Sequence, residues 1–445
     1  MKVHLRMLGC RLNQSEIDSM ARQFQAQGHE IVDQPDAADW MVVNTCAVTQ
    51  DASRSSRQLI RELHRANENA QITVTGCYAQ IAPHEITTLP GVVRIVDNLG
   101  KDTLVEKITG VRVQPFDHEP LARAASAGAA GRTRAFVKVQ DGCDNACTFC
   151  VTTVARGAGR SREIADVVDE IRYLHDVGYQ EAVLTGVHLG SYGDDRNDRD
   201  GLVHLVRAIL QDTDIPRLRL SSLEPWDLSP QFFDLWQDRR VCRHLHLPLQ
   251  SGCDATLRRM ARHTTQAAFR ELVLAARERI ANVCLTSDMI VGFPGETDEE
   301  FAVSMAFVEE MRFAGLHIFR YSKRPGTAAA RMKNHVPESV KKQRSAQLHA
   351  LAARMETDFA RSFVGQAGDV LWEQIAGATE DGFINVGYTD NYIRVRSVQP
   401  RVLTNYITPA RLDAYDDALQ VMQVTPLLGA VTIERHEPND PNHRG

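Results

Sequence analysis

The sequence predicts an α/β protein in three parts: an N-terminal parallel α/β domain, a central partial (β/α)6 barrel and a small C-terminal β-barrel. Three observations predict it. Strand and helix patterns alternate from residue 1 to about 112 and again from Thr133 to about Ser322, which implies parallel strands covered by helices. From about residue 364 the pattern switches to short strands separated by Gly, Asp and Asn turns, the signature of a small all-β unit. A length of 445 residues gives room for several separate cores.

In the first part, Val3–Leu8 alternates as a strand, and Gln14–Gln27 has helical spacing that stops at Gly28. Trp40–Val43 is a buried strand, Asp51–Arg65 a long basic helix, and Ile72–Val74 and Val92–Val96 are further strands. Residues 113–132 form the expected linker, with His118–Arg132 rich in Ala, Gly and Ser. The central part, 133–362, holds six strands: Ala135–Val139, Glu181–Leu184, Arg217–Leu220, His244–Leu247, Val283–Ile290 and Leu316–Tyr321. Helical patterns separate them at Ile164–Val177, Leu202–Leu210, Pro230–Trp236, Gln266–Ile280 and Asp298–Phe313, and a last helix is expected over Pro337–Phe363. The third part, 363–434, has strands at Asp369–Glu373, Phe383–Val386, Tyr392–Ser397 and Gln420–Pro426, followed by a tail, 435–445, expected to be disordered.

Composition narrows the class. Fifty-one Lys and Arg against 57 Asp and Glu give a net charge of −6, so no global basic field announces a nucleic acid. No stretch reaches the roughly 18 apolar residues of a membrane span, and the N-terminus lacks the apolar region of a signal peptide. Nine cysteines, an odd number, argue against a disulfide framework and for a reducing compartment. Cytoplasmic residence is the expectation.

Two groups of cysteines carry the chemistry. Cys143, Cys147 and Cys150 have Cys-x3-Cys-x2-Cys spacing just after the strand Phe136–Val139. In βα barrels the site lies at the C-terminal ends of the strands, where this loop sits. Three thiolates can hold three irons of a [4Fe–4S] cluster and leave the fourth iron open to a small molecule. Zinc is the rival, but it wants four closed ligands and no fourth Cys or His lies close by in sequence. Cys10, Cys46 and Cys77 each stand just past a strand of the first part. A parallel sheet brings its strand ends to one edge, so these thiols can converge on a second cluster; the alternative is three buried core cysteines. Gly9, Thr45 and Gly76 beside them are small enough to leave room. Cys242, Cys253 and Cys284 show no such pattern and read as core.

The chain resembles the methylthiotransferases of the radical S-adenosylmethionine class over nearly its whole length. The resemblance rests on Leu8-Gly9-Cys10-Arg11-Leu12-Asn13-Gln14, Asn44-Thr45-Cys46-Ala47-Val48-Thr49 and Thr75-Gly76-Cys77-Tyr78-Ala79-Gln80. Further along it rests on the Cys143–Cys150 loop, Leu184–Gly190, Leu220–Pro225, His246–Gly252, Asp288–Glu296 and Tyr321–Thr327. Asn44–Gln80 and Tyr321–Arg331 look most like the branch acting on N6-threonylcarbamoyladenosine, at position 37 of tRNA beside the anticodon. Other branches act on isopentenyladenosine or on a ribosomal protein. A non-catalytic RNA-binding iron–sulfur protein is the reading from a different class.

The resemblance implies two [4Fe–4S] clusters and S-adenosylmethionine. The cluster on Cys143, Cys147 and Cys150 would supply an electron to the cofactor, and the one on Cys10, Cys46 and Cys77 would present sulfur. Thr185 and Gly186, Ser222 and Glu224, and Ile290 and Gly292 follow strands at the expected cofactor edge, with Phe149 shielding the cluster or packing on the cofactor. The implied partners are tRNA, through its anticodon stem-loop, and a one-electron donor such as flavodoxin or ferredoxin; the chain is expected to be a monomer.

The terminal barrel resembles the TRAM domain, an RNA-binding module, yet residues 363–434 carry four Arg and no Lys against nine acids. Such a barrel is a poor sole anchor for phosphate. Residues 320–362 carry ten Lys or Arg against three acids. Phosphate contacts are therefore expected from Lys341, Lys342 and Arg344 of the last helix and from Arg54, Arg57, Arg61 and Arg65 of the first domain. One local departure stands out: the family follows its third cluster cysteine with two apolar residues, a proline and an aromatic, whereas Val151-Thr152-Thr153-Val154 stands here.

Overall fold

The computed structural model describes residues 1–47, 49–112 and 133–427. The expected linker 113–132 and the tail 435–445 lie outside the described residues.

The first domain is a parallel sheet of order β2-β1-β3-β4-β5, with β1 at Lys2–Met7, β2 at Glu30–Ile31, β3 at Trp40–Thr45, β4 at Gln71–Gly76 and β5 at Val92–Ile95. Met41, Val42, Val43, Ile72 and Val74 are fully buried, as the continuous apolar runs of central parallel strands require. Helices α1 (Arg11–Ala26), α2 (Gln50–Ala66), α3 (Cys77–Ile81), α4 (Pro83–Thr87) and α5 (Leu104–Thr109) complete it. Thr49 caps α2 by accepting the Ala52 amide at 3.0 Å. The two-residue strand β2 is too short to leave a sequence pattern.

The central domain contains the six expected strands as β6 (Arg134–Lys138), β9 (Glu181–Thr185), β10 (Arg217–Leu220), β11 (His244–His246), β12 (Cys284–Val291) and β13 (Gly315–Arg320). They form two three-stranded parallel sheets joined by the bridges Leu218–Val241 and Ser222–His246. The strands thus follow one another in chain order as an open barrel. A short antiparallel pair, β7 (Gln140–Asp141) with β8 (Arg160–Ser161), brackets the cysteine loop, and α6 (Thr152–Arg156) lies within it. Helices α7 (Ile164–Asp176), α8 (Gly201–Asp212), α9 (Asp254–Arg259), α10 (Gln266–Arg279) and α11 (Asp298–Met311) cover the strands. The expected helix at Pro230–Trp236 is a 3-10 helix, Pro230–Gln237.

Helix α12 (Glu338–Arg361) corrects two expectations. Lys341 and Arg344 begin its buried stripe, which continues through Leu348, Leu351 and Met355. Lys341 Nζ donates to the Tyr321 carbonyl at 3.0 Å, and Arg344 pairs with Glu296 and Asp298, both at 2.7 Å. These cations fasten the helix to the barrel and are not available to phosphate. Lys342, one position on, is exposed.

The last domain is a closed barrel of order β14-β15-β16-β18-β17 around the buried Trp372, with β14 at Ala367–Thr379, β15 at Gly382–Thr389, β16 at Arg394–Gln399, β17 at Ile407–Asp416 and β18 at Val421–Pro426. Strand β17 was not expected; Pro409, Asp413 and Asp416 interrupt its apolar pattern. The barrel closes the N-terminal end of the central strands. Arg217 donates to the Asp369 and Tyr388 carbonyls, Arg243 makes a two-pronged pair with Asp390, and Arg134 pairs with Glu373. Two of the acids that make this barrel a poor phosphate anchor, Asp390 and Glu373, are thus spent on arginines of the neighbouring domain.

Candidate active site

The cysteine loop is held rigidly before any ligand enters. Gly142 has φ +74° and a Cβ there would stand 1.8 Å from the Ala158 carbonyl oxygen, so only glycine fits. Cys143 donates its amide to Gly157, Thr148 to Met260, and Ala329 to Thr148. The departure at Val151–Val154 opens into α6, whose Thr152 amide donates to Cys150 Sγ at 3.3 Å; the Asn145 amide donates to Cys143 Sγ at 3.4 Å.

Burial pushes the Cys147 and Cys150 thiols up, against the pull of Arg262 on the first and of Thr152 on the second. Arg262, 1 % exposed, lies 3.6 Å from Cys147 Sγ, pairs with Glu224 at 2.5 Å and stacks 4.4 Å from the Trp226 ring centre. His188 meets Asp227 at 2.5 Å and Asn145 at 3.3 Å. Burial works against its charge, but the Asp227 and Cys143 partners raise it to about 10. Two cations thus face the loop's thiols.

In the first domain, Cys10 is exposed while Cys46 and Cys77 are buried. Gly9 and Gly76 have φ of +108° and +97° and are pressed against neighbouring strand ends. A Cβ on Gly9 would lie 2.8 Å from Cys46 Sγ, and one on Gly76 2.3 Å from the Thr45 carbonyl oxygen. Their smallness thus serves the close approach of the strand ends that brings the cysteine positions together. Arg324 is buried, its charge couples to Cys46 and Asp51, and its Nη2 has no hydrogen-bond partner.

Among the described residues, neither cysteine set belongs to a group of donors gathered within 4.8 Å.

One cavity of about 910 Å³ runs from the first-domain cysteines along the central strands. Cys10, Cys77, Thr152 and Arg156 line one side, and Thr185, Gly186, Ser221 and Ser222 another. Thr185 Oγ1 and Ser221 Oγ are buried there without a protein partner, as polar atoms awaiting a polar ligand would be. The remaining cofactor candidates fall elsewhere. Glu224 is engaged by Arg262. Phe149 and Ile290 pack into an apolar cluster with Met260, Phe293 and Tyr321. Gly292 leaves space for Lys341, whose Cγ would be 2.3 Å from an added Cβ. Arg54, Arg61 and Arg65 are exposed on α2, while Arg57 is held by the Tyr78 hydroxyl at 2.7 Å and Glu85 at 3.1 Å.

Sequence reasoning missed Arg262, His188 and Arg324. His188 stands three residues past a strand at the site edge, which was a usable signal; Arg262 carried none.

The chain matches the Radical SAM superfamily over residues 137–308, and the uncharacterised protein family UPF0004 over residues 2–97. A threonylcarbamoyladenosine tRNA methylthiotransferase of Bacillus subtilis is 38% identical over 401 residues, covering 87% of this chain and 88% of that protein. One from Thermotoga maritima is 35% identical, covering 90% and 92%. A tRNA-2-methylthio-N(6)-dimethylallyladenosine synthase of Anoxybacillus flavithermus is 32% identical, covering 92% and 80%. A radical S-adenosylmethionine methyltransferase of Kitasatospora setae shares the fold, with TM-score 0.57 and 17% identity over 74% of this chain and 75% of that one. With this extent of identity over most of its length, the chain belongs to the radical S-adenosylmethionine methylthiotransferase family.

Proposed function

We propose that this protein attaches a methylthio group to carbon 2 of N6-threonylcarbamoyladenosine at position 37 of tRNA. The observation that carries the reading is one cavity with Cys10 and Cys77 on one wall and the unpartnered Thr185 and Ser221 hydroxyls on another. A third wall supports the polar substituent: His246, Thr286, Asp288 and His317 line it. A threonylcarbamoyl group offers a carboxylate, a hydroxyl and a urea to this polar wall, which an isopentenyl group does not. The more similar relatives bear that substrate in their names.

The target C–H bond is neither acidic nor polarised, so acid–base catalysis has no purchase on it. When bound, the cluster on Cys143, Cys147 and Cys150 supplies the electron that opens S-adenosylmethionine to radical chemistry, and that on Cys10, Cys46 and Cys77 supplies the sulfur. The chain's own residues position and shield. Thr185 and Ser221 offer hydroxyls to the cofactor, Arg262 and His188 place positive charge beside the thiolates, and Phe149 packs edge-on against Phe293 beside the loop. The electron donor in this reading is a flavodoxin or ferredoxin, and the compartment is the cytoplasm. No helix among the described residues is long and apolar enough to cross a membrane.

The test is nucleoside mass spectrometry of tRNA from a strain lacking this chain. The reading expects loss of the 2-methylthio derivative of threonylcarbamoyladenosine and its return on complementation. Loss of the isopentenyl derivative instead would move the assignment to that branch.

A further inference from the structure

The wall formed by β11, β12 and β13 holds a third group of donor atoms, distinct from both cysteine sets. His246 Nε2 lies 3.2 Å from Asp288 Oδ1, and donor atoms of His246, Asp288 and His317 all fall within 4.8 Å of one another. Strand register makes the cluster. Asp288 pairs with His317 across β12 and β13, and His246 pairs with Thr286, two residues before Asp288 and on the same face.

Two imidazoles and a carboxylate are a donor set that first-row divalent cations accept. Ligands about 2.1 Å from one ion stand roughly 3.0–3.4 Å apart; the His246–Asp288 pair already has this spacing. His317 is exposed, so side-chain rotation can close the remaining gap. His246 is also fixed from behind. Its Nδ1 lies 2.9 Å from Thr286 Oγ1, which in turn lies 3.0 Å from His244 Nε2. This contact turns Nε2 toward Asp288, the arrangement that orients ligating histidines in metal sites. A histidine–aspartate hydrogen bond alone would explain the 3.2 Å contact but not the third donor converging on it.

We propose that His246, Asp288 and His317 form a mononuclear site for a divalent first-row cation, with its open coordination positions facing the cavity. Oxygen groups of a substrate could complete its shell. The site does not depend on which adenosine is modified.

The test is Mn²⁺ titration of the full-length, cluster-loaded protein, with free Mn²⁺ read by room-temperature electron paramagnetic resonance. The proposal expects one site per chain, weakened at least tenfold in His317→Ala and in Asp288→Asn, with Zn²⁺ competing. Iron, sulfide and the far-ultraviolet circular dichroism should be unchanged in both variants. The exposed position of His317 keeps the test valid even if Asp288→Asn misfolds. Equal Mn²⁺ binding by the wild type and His317→Ala, or no stoichiometric binding by the wild type, overturns the proposal.

Discussion

Arg156 Nη1 lies 2.9 Å from Glu16 Oε1, and both side chains are 2 % exposed. Arg156 ends the helix that begins two residues after Cys150, and Glu16 lies on the helix that starts directly after Cys10. The pair therefore ties one cysteine site to the other. Around it, Lys101 contacts Glu16 at 2.7 Å, Asp141 contacts Arg156 at 2.9 Å, and Arg156 donates to Asn13 at 2.9 Å. Asn98 adds a bond to the Ala155 carbonyl at 2.7 Å. Burial of this network is costly unless every charge is paired, and here each one is.

Removing one partner should be expensive. Arg156→Ala leaves Glu16 with Lys101 but strips Asp141 of its close partner, at a cost of about 3 kcal/mol, the low end for broken buried pairs. Denaturant unfolding of the cluster-loaded protein measures this. A variant within about 0.5 kcal/mol of the wild type, the range of ordinary surface substitutions, would contradict the role given to the network.

The same network predicts a direction with pH. Burial pushes the Glu16 carboxyl up, but Lys101, Arg156 and Lys138 outweigh it and hold Glu16 well below the usual carboxylate range. The unfolded chain binds this proton at about pH 4.3 and the folded chain only at lower pH. The contribution is therefore complete above that value and is lost as pH falls toward the folded one. Between about pH 5 and pH 3, Glu16→Gln should show a shallower fall in denaturation midpoint than the wild type; parallel curves would contradict it.

The orphaned hydroxyls predict a cofactor effect. Thr185→Val and Ser221→Ala should each weaken S-adenosylmethionine binding by roughly tenfold, the loss of one hydrogen bond to a charged group. Equilibrium dialysis at constant iron content checks this. Unchanged affinity in both would place the cofactor elsewhere in the cavity.

For RNA, the burial of Lys341 and Arg344 moves the expectation to exposed cations. Arg61→Glu, Arg65→Glu and Lys342→Glu should each weaken tRNA binding and lower its salt slope by about one for each phosphate no longer neutralised. Lys341→Ala and Arg344→Ala should instead lower thermal stability. An unaltered salt slope in all three exposed variants would reject this surface.

Much of the fold was legible because its signals are local. The alternation of strands and helices, the Cys-x3-Cys-x2-Cys loop and the strand-end placement of Cys10, Cys46 and Cys77 can all be read along the chain. What was not legible depended on partners distant in sequence. Lys341 and Arg344 read as a cationic face, although their spacing with Leu348, Leu351 and Met355 already marks one buried stripe. Their acids, Glu296 and Asp298, lie more than 40 positions away. Gly292 read as an opening for the cofactor and proved to be space for Lys341. Arg262 reaches Cys147 across 115 positions, a pairing that no motif announces.

The two cysteine triplets are read as the holders of two separate iron–sulfur clusters. Iron and sulfide analysis of the triple variant Cys10→Ala/Cys46→Ala/Cys77→Ala, alongside an anaerobic assay for 5′-deoxyadenosine, tests this reading most directly. About half the iron should be lost, 5′-deoxyadenosine should still form, and methylthiolation should stop. Iron content equal to that of the unmutated protein would contradict it.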